Sequence, residues 1–391
     1  MTRPRLLNPA TAGAVFALIR DGAATTRTQI ADKTGLSRTA VAARLATLVH
    51  AGLVAEADDG STGVGRPPTR LSFNAAAGVV LAAAVGRSRT QVAVCDLAGE
   101  IIASRDVEQE IGLGPEELMP RVARELTSAL SRARHTKDSV RGIGLSIPGT
   151  VNPRTLTSNA SPIMSGWDGV GLDRYFGSFA HAPVFLENDT NVIALAERGA
   201  HLAAHDDALI VKASTGFGAG IVAGGVLQHG AVGAAGEIGH VKYSASRGRL
   251  CRCGETGCLE AVAGGWALVR NMRERGHNVE HIRDVASLAV AGDTDARDEI
   301  RASARHFGRV LAAAVTLLNP AIIVVGGDMT PAYDVFVAGL RETLYRDAST
   351  IATRDLTIVA ATHGTLSGVH GCATLALDHV LSVQAVDAAV R

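Results

Sequence analysis

Residues 78–97 read GVVLAAAVGRSRTQVAVCDL, two apolar runs separated by the polar turn GRSR. Runs of this length that are rich in small and β-branched residues and interrupted by glycine predict the two strands of a hairpin. A second stretch at residues 207–227, DALIVKASTGFGAGIVAGGVL, has the same pattern about 130 residues later. The repeat predicts a duplicated α/β body with a cleft between its two lobes.

The segments after the first hairpin continue the α/β pattern. They predict a strand in EIIASRDV at residues 100–107, a helix near residues 115–135 and a strand in RGIGLSIPG at residues 141–149. A chain of 391 residues is too long for one ordinary hydrophobic core, which favours two or three domains.

The composition excludes several classes of protein. No run of 18 or more apolar residues occurs, and the segment MTRPRLLNPATAGAV lacks the apolar core and cleavage site of a signal peptide. We therefore expect a cytoplasmic protein with no membrane partner, in which clustered cysteines bind metal more often than they form disulfides. Cys95 and Cys372 lie alone in apolar segments and are predicted to be core residues.

The N-terminal 73 residues have a pattern of their own. They contain nine Lys/Arg against five Asp/Glu, although the whole chain has a formal net charge of zero. Asn8-Pro9 predicts the start of a first helix and TRTQIADKTG a second. Ser37 is placed to cap a third helix, RTAVAARLATLVHAG, whose apolar face we predict to contain Val41, Leu45, Leu48 and Val49.

The second and third helices, joined by the short turn at residues 34–37, predict a helix-turn-helix whose second helix enters the DNA major groove. The following segment, LVAEADDGSTGVGRPPTRLSF, alternates around a glycine-rich tip as the wing of a winged helix does. The residues expected to contact double-stranded DNA are Arg27, Ser37, Arg38, Thr39, Arg44 and Arg66. A three-helix bundle can also serve as a protein-docking module, but the basic tip and the charge of +4 favour DNA.

Residues 240–260, HVKYSASRGRLCRCGETGCLE, contain three of the five cysteines. His240 stands eleven positions before Cys251, and Cys253 and Cys258 complete a C-x-C-x4-C pattern. One imidazole and three thiolates suit tetrahedral zinc, and four protein ligands leave no open position for a reactive water. The spacing differs from that of a thioredoxin-type redox pair, and a group of free thiols is the remaining alternative. The pattern predicts a structural zinc site.

Several motifs follow one another through residues 78–380. They are Ile147-Pro148-Gly149, Ser158-Asn159, Trp167-Asp168, Glu187-Asn188-Asp189-Thr190-Asn191, Thr215-Gly216-Phe217-Gly218-Ala219-Gly220, Glu237-Ile238-Gly239-His240, the cysteine cluster and Val325-Gly326-Gly327-Asp328. In these motifs, and in the Gly-Arg-Pro run of the wing, the chain resembles the ROK family of sugar kinases and transcriptional regulators. The resemblance implies a winged helix-turn-helix at residues 1–73 and a two-lobed body of the actin-like, ribonuclease H-like sugar-kinase type. Its lobes would span residues 78–190 and 191–391, with the final helix packing back on the first lobe.

The resemblance also implies the positions of the site residues. Asp189 stands at the position of the general base that deprotonates the sugar hydroxyl in ROK kinases. The sugar pocket would be lined by Asn159, Asn188, Asp189, Glu237, His240 and Glu260. The alternative for the segment 187–191 is that it merely begins a helix, where Asp and Asn are common. His240 would belong to both the metal site and the sugar pocket.

The first hairpin departs from the kinase pattern. ROK kinases have an Asp there, followed by Gly-Gly-Thr, and the matching run in this chain is Ala84-Val85-Gly86-Arg87-Ser88-Arg89. Ala84 replaces the carboxylate and Arg87 replaces a glycine, which removes an oxygen ligand for magnesium beside the phosphates. We therefore expect a vestigial phosphate loop, made of Gly86, Ser88, Thr215, Gly216 and Gly218.

Three functions fit these features. The first is a sugar-responsive transcriptional regulator, most simply a repressor, that binds an operator as a homodimer or homotetramer and changes its DNA affinity with a sugar or sugar phosphate. The second is an ATP-dependent hexose or amino-sugar kinase that carries a DNA-binding domain. The third is a ligand-free dimerisation scaffold for DNA binding. The departures in the first hairpin favour the regulator over the kinase.

Overall fold

The computed structural model describes residues 10–57, 70–110, 112–152, 155–158, 166–179 and 182–390. Its α-helices are α1 Ala12–Arg20, α2 Arg27–Thr34, α3 Arg38–His50, α4 Pro115–Arg132, α5 Asn191–Ala196, α6 Glu260–Ala263, α7 Gly265–Glu274, α8 Ile282–Ala291, α9 Thr294–Leu318, α10 Tyr333–Asp347, α11 Thr350–Thr353, α12 Ser367–Val380 and α13 Val383–Ala389. Its strands are β1 Val54–Ala57, β2 Arg70–Phe73, β3 Val79–Val85, β4 Arg89–Asp96, β5 Ile101–Glu108, β6 Val140–Ile147, β7 Val151–Asn152, β8 Thr157–Ser158, β9 Val184–Asn188, β10 Ala208–Ala213, β11 Phe217–Ala223, β12 Val226–Leu227, β13 Ile322–Gly326 and β14 Thr357–Ala360.

The first three helices and the β1–β2 pair form the N-terminal domain. α2 ends at Gly35, whose φ of 70° lies in the left-handed region, so the chain can turn directly into α3. β1 and β2 pair antiparallel, with Val54 opposite Phe73. The helix-turn-helix and the strands that flank the wing are therefore present as predicted, while the tip that contains Arg66 lies outside the described residues.

Two details of this domain differ from the sequence prediction. The first helix begins at Ala12, and its N-cap is Thr11, whose hydroxyl accepts a hydrogen bond from the Ala14 amide at 3.2 Å. Asn8, with which the helix was expected to begin, lies outside the described residues. On α3 the buried face is set by Val41, Leu45 and Leu48. Val49 lies one residue further round the helix and is 39% exposed.

The body contains two five-stranded sheets with the same topology. Their strand orders are β5-β4-β3-β6-β9 and β12-β11-β10-β13-β14. In each sheet the hairpin strands are antiparallel, and the two strands on the other side join in parallel. The repeat confirms the predicted duplicated α/β body.

This topology gathers the motifs at one edge of each sheet. The hairpin turns follow β3 and β10. In the first sheet β6 and β9 run parallel to β3, and in the second β13 runs parallel to β10, so the loops after these strands lie at the same edge as the hairpin turn of their sheet. Ligands of open α/β sheets bind at such carboxyl ends. A ligand site is therefore expected in the cleft between the two edges.

The last two helices connect the body to the N-terminal domain. α12 packs on β3, β6 and α5, whereas α13 packs on α1. The Gly13 amide donates to Asp387 Oδ1 at 2.7 Å, and Val386 is 1% exposed in the same apolar cluster as Val15 and Phe16. The contact with the first lobe, expected of the final helix, is thus made by α12, and α13 contacts the helix-turn-helix domain instead.

Among the described residues, every helix is too short or too polar to cross a lipid bilayer.

Candidate functional site

A cavity of about 150 Å³ lies between the two lobes at the carboxyl edges of the sheets. Both hairpin turns line it, the first with residues 86–89 and the second with residues 214–218. Asp189 and Asp328 contribute carboxylates, and residues 364–368 at the start of α12 close one wall. The cavity therefore brings together the phosphate-loop residues Gly86, Ser88, Thr215, Gly216 and Gly218 that the sequence predicted.

Asp189 enters the cavity from the loop after β9, where its amide donates to the carbonyl of Ile147 at 3.0 Å. Its carboxylate forms an ion pair with Nζ of Lys212, a residue of β10 that was not predicted. The signal for Lys212 was a single cation within the otherwise apolar run ALIVKA at residues 208–213. The carboxylate at the position of the kinase base is thus bonded to an ammonium group of the protein itself.

Asn188 uses its side chain within the protein. Its Nδ2 donates to the Gly149 carbonyl at 2.8 Å, and its Oδ1 accepts from the amides of Thr190 and Asn191 at 2.8 and 3.1 Å. These bonds fix the loop after β9 at the beginning of α5, as the helix-start alternative implies. Asn188 therefore holds Asp189 in place from the adjacent position.

Glu237 and Glu260 lie close to Asp189. Burial, together with the negative charges of Asp189 and Glu260, raises the pKa of Glu237 to about 7. Glu260 is 3% exposed, and its Oε1 accepts a hydrogen bond from the Phe217 amide at 2.7 Å. Of these three carboxylates, Asp189 alone is among the residues that line the cavity. Asn159, a further predicted sugar ligand, lies outside the described residues.

Two glycines of the second hairpin, Gly216 and Gly218, lie directly against side chains of the protein itself. A Cβ on Gly216 would lie 2.3 Å from Glu260 Oε1, and a Cβ on Gly218 would lie 2.2 Å from Thr190 Oγ1. Either approach is far below van der Waals contact. These glycines therefore do not by themselves indicate that a nucleotide binds.

Arginines connect the two lobes across the cavity. Arg89 of the first hairpin bonds to Asp106 at 2.8 Å and, in the second lobe, to Asp328 at 2.9 Å. Arg283 of the second lobe bonds to Glu108 of the first at 2.8 Å. Neither pair was predicted, because nothing in the sequence shows which carboxylate an arginine on the opposite lobe will reach.

His240, Cys251, Cys253 and Cys258 converge as predicted, with all four candidate ligand atoms within 4.8 Å of one another. Sγ of Cys253 and Cys258 are 3.7 Å apart, and Sγ of Cys251 is 3.9 Å from Nδ1 of His240. Such separations suit four ligands of a tetrahedral zinc with Zn–S of about 2.3 Å and Zn–N of about 2.0 Å. The other imidazole nitrogen, Nε2, lies 3.8 Å from Glu237 Oε2. His240 therefore lies between the candidate metal ligands and the carboxylate of Glu237.

Comparison with known proteins identifies the body. Residues 80–379 match the ROK family, and residues 12–58 match the IclR helix-turn-helix domain. The chain belongs to the ROK family.

The relatives of this chain include both a transcriptional repressor and a sugar kinase. The chain is 25% identical to the xylose repressor of Caldicellulosiruptor bescii, with 94% of this chain and 95% of the repressor covered. It is 32% identical over 275 residues to the glucokinase of Halalkalibacterium halodurans, which covers 66% of this chain and 82% of the glucokinase. The crystal structure of a ROK family transcriptional regulator, a homolog of the E. coli MLC protein, matches the fold with a TM-score of 0.78 at 24% identity, over 97% of this chain and 98% of that one.

The residues of the N-terminal domain that were predicted to contact DNA are not all free to do so. Ser37, Arg38 and Thr39 are exposed at the start of α3, where the Ser37 hydroxyl caps the helix by accepting from the Ala40 amide. Arg27 is exposed and bonds to Glu56 at 2.8 Å. Arg44 differs from the prediction, because its Nε donates to the Ala10 carbonyl at 2.6 Å and ties α3 to the segment before α1.

Proposed function

We propose that this ROK protein is a DNA-binding regulator of transcription whose operator affinity changes when a sugar or sugar phosphate occupies the cleft. The observation that carries the proposal is the helical connection between the cleft and the DNA-binding domain. α12 begins at Ser367 in the cavity wall and crosses the first sheet, and α13 then packs on α1.

Through this connection, a ligand in the cleft can change the position of the DNA-binding domain. A ligand that binds one lobe arrangement more tightly shifts the population towards that arrangement. Because α13 is bonded to α1 through Asp387 and Gly13, a shift of α12 moves the recognition helix with it. In a dimer this would change the spacing of two recognition helices on a two-fold operator.

The relatives support a regulator more than an enzyme. The match to the xylose repressor runs through the helix-turn-helix and the body, whereas the match to the glucokinase covers only 66% of the chain. We propose that the sugar contacts Asp189, Glu237 and His240 directly, with Asn159 as a further ligand. Asn188 would act by positioning Asp189. Glu260 would contact the sugar through Oε2 alone, because its Oε1 accepts from the Phe217 amide.

The DNA contacts proposed here begin at the first turn of α3. Arg38 and Thr39 are exposed there, where the recognition helix of a helix-turn-helix reaches base edges and phosphates. Ser37 and Arg27 would contact phosphate, and Arg66 of the wing would reach the minor groove or the backbone. Arg44 is proposed only to support α3.

We propose that kinase activity has been lost. Ala84 offers no magnesium ligand, Lys212 is bonded to the carboxylate at the base position, and Arg89 joins Asp328 across the cleft. Phosphoryl transfer depends on positioned phosphates, metal and base, and all three are altered. ADP release from ATP, magnesium and a hexose that disappears in Asp189→Asn would contradict this part of the proposal.

We also infer that the His240 and cysteine cluster holds zinc. Burial raises the pKa of the Cys251 thiol to about 12, so the thiolate required for coordination depends on the charge of a bound metal. A bound zinc would supply a fixed tetrahedral support for the loop and would leave Nε2 of His240 facing the sugar side.

The regulator is tested by fluorescence anisotropy of the full chain on DNA from upstream of its own gene. At one fixed salt concentration, titration with neutral and phosphorylated sugars should change the operator Kd at least about tenfold for one of them. Asp189→Asn should reduce that response. Arg38→Ala should weaken DNA binding and lower the slope of log Kd against log salt if Arg38 contacts a phosphate. An operator Kd unchanged across the whole panel would show that these sugars and sugar phosphates do not control DNA binding.

A further inference from the structure

Arg87 differs from the other cations of the cleft because its side chain makes no hydrogen bond or ion pair with the described residues. Lys212, Arg89 and Arg283 line the same cavity, and each is bonded to a carboxylate. Arg87 stands at the turn of the first hairpin and also lines the cavity, where it is half-buried. It supplies one positive charge that the described part of the protein leaves unpaired.

The nearby carboxylates do not take up the guanidinium. Asp189 and Glu260 are close enough to act electrostatically on Arg87, but Asp189 is bonded to Lys212 and Glu260 accepts from the Phe217 amide. Burial and the positive charge of Arg252 both disfavour the charged form of Arg87 and lower its pKa. The part of the chain that the structure describes therefore offers no acceptor to the five N–H donors of this guanidinium.

Other donors face the same space. Thr215 lines the cavity from the second hairpin, and Thr365 lines it from the segment just before α12. Neither hydroxyl forms a hydrogen bond with a described residue. The carboxylate of Asp328, in contrast, already accepts from Arg89 and from the Ser214 hydroxyl. The cavity thus combines free donors and a free positive charge, which is the environment that an anion requires.

The size of the cavity points to a small anionic group. At about 150 Å³ it is smaller than the 300–1,000 Å³ that drug-sized ligands occupy. The ion pairs Arg89–Asp328 and Arg283–Glu108 also join the lobes across the cleft. These features favour a single phosphate group over a nucleoside triphosphate.

We propose that Arg87 is the phosphate receptor of the effector, and that the effector is a sugar phosphate monoester. This inference rests on the proposed function, since the sugar ring is taken to lie against Asp189, Glu237 and His240. Arg87 and the hydroxyls of Thr215 and Thr365 bind the phosphate on the side of the first hairpin. The residue that weakens a kinase phosphate loop thereby becomes the residue that distinguishes a phosphorylated sugar from a neutral one.

The test is isothermal titration calorimetry of the full chain with matched probes at constant ionic strength. The pairs are glucose with glucose 6-phosphate, mannose with mannose 6-phosphate, and N-acetylglucosamine with its 6-phosphate, with inorganic phosphate and ATP as further arms. For at least one pair we expect the phosphorylated member to bind roughly ten to a hundred times more tightly than the neutral member. Preference for the neutral member in every pair, or sugar-independent binding of ATP tighter than any sugar phosphate, would overturn the proposal.

Variants of Arg87 assign the preference to this side chain. Arg87→Gln should reduce the ratio of the two dissociation constants to near one, and Arg87→Lys should restore part of it, since lysine keeps the charge but loses the paired donors. Arg105→Gln, which alters an exposed arginine of β5 bonded to Glu125, is the matched control and should keep the ratio. The phosphorus NMR shift of the bound sugar phosphate should move in Arg87→Gln and stay in Arg105→Gln. A ratio unchanged in Arg87→Gln would overturn the assignment.

The failure of this inference can be told from the failure of the proposed function. If a neutral sugar releases the protein from DNA and Arg87→Gln leaves that release unchanged, the protein is a sugar sensor and Arg87 is not its phosphate receptor. If neither member of any pair binds or alters DNA affinity, the sugar-responsive function itself fails, and the phosphate receptor fails with it.

Discussion

Glu187 and His229 form a hydrogen-bonded pair, and Glu187 lies two positions before Asp189 in the chain. His229 Nε2 lies 2.6 Å from Glu187 Oε2, and the other oxygen of Glu187 accepts from the amide of Asn188 and the side chain of Asn191. The hydrogen bond with Glu187 raises the pKa of His229. Burial alone would raise the pKa of Glu187, but its hydrogen bonds outweigh burial and lower it. The pair thus stiffens the end of β9 that carries Asp189.

This pair makes the stability of the protein depend on pH. A raised histidine pKa contributes stability that is complete below the ordinary value near 6.5 and is lost as the pH rises through the raised value. We expect His229→Gln to lower the free energy of unfolding by about 1–3 kcal/mol at pH 6 and by clearly less at pH 9. Urea unfolding at the two pH values measures the difference, and His50→Gln, an exposed histidine of α3, is the control. An equal loss at both pH values would show that the ion pair is not its source.

The loop that contains the cysteines is the element whose form depends most on the proposed metal. It contains short 3-10 turns at Ile238–His240 and Ser244–Ser246 and isolated bridges, such as the one between Lys242 and Cys258. Such a segment has little regular secondary structure of its own, so its ligands would hold it together. Because His240 also faces Glu237, an altered loop should disturb the sugar pocket as well.

We predict that Cys251→Ser removes zinc and damages the sugar response at least as much as it lowers the melting temperature. Metal content is measured by plasma mass spectrometry, with an expected change from one zinc per chain to none, and the response by the anisotropy titration. Chelation of the wild-type protein should reproduce both effects. Cys95→Ala, which alters a buried thiol of β4 outside the cluster, should keep the zinc. Loss of stability with an intact sugar response in the folded fraction would make the loop a support alone.

The elements that follow from local sequence were predicted well, and those that depend on distant contacts were not. The hairpin 78–97, the wing strands and the metal ligands have short-range patterns, so their form could be predicted from adjacent residues. The partner of Lys212 could not, because Asp189 comes from another strand of the other sheet. Arg44 has the spacing of a groove-facing residue, and only the path of the segment at Ala10 explains its inward bond.

At the scale of the whole molecule, the α1–α13 contact is the connection through which we propose that the cleft acts on the DNA-binding domain. Gly13 sits against the chain of α13, and a Cβ at this position would lie 2.2 Å from the Val383 carbonyl oxygen. The apolar spacing of α13 identifies a buried face but does not identify α1 as its partner. The sequence therefore predicted both the sensor and the DNA-binding domain without predicting how they are joined.

We predict that Gly13→Ala separates α13 from α1 and uncouples the two functions. The variant should still bind operator DNA and sugar, but the change of operator Kd caused by sugar should fall at least about fivefold, as expected for the loss of a coupling of about 1 kcal/mol or more. Hydrogen exchange of the α13 amides should become faster. Ala46→Ser, on the exposed face of α3, should change neither measurement. An undiminished sugar response in a protein with released α13 would show that coupling takes another route.

The pairing of α1 with α13 also has a consequence for how the protein is made. The residues joined by the Gly13–Asp387 bond are 374 positions apart, so α1 leaves the ribosome long before its partner helix. At 5–20 residues per second the interval is roughly 20–75 s. Throughout it the recognition helix is available on the nascent chain while the face of α1 that α13 covers remains bare. On the proposed route, synthesis thus orders the two events: α1 to α3 are made first, and they are connected to the cleft through α13 only when that helix has been made.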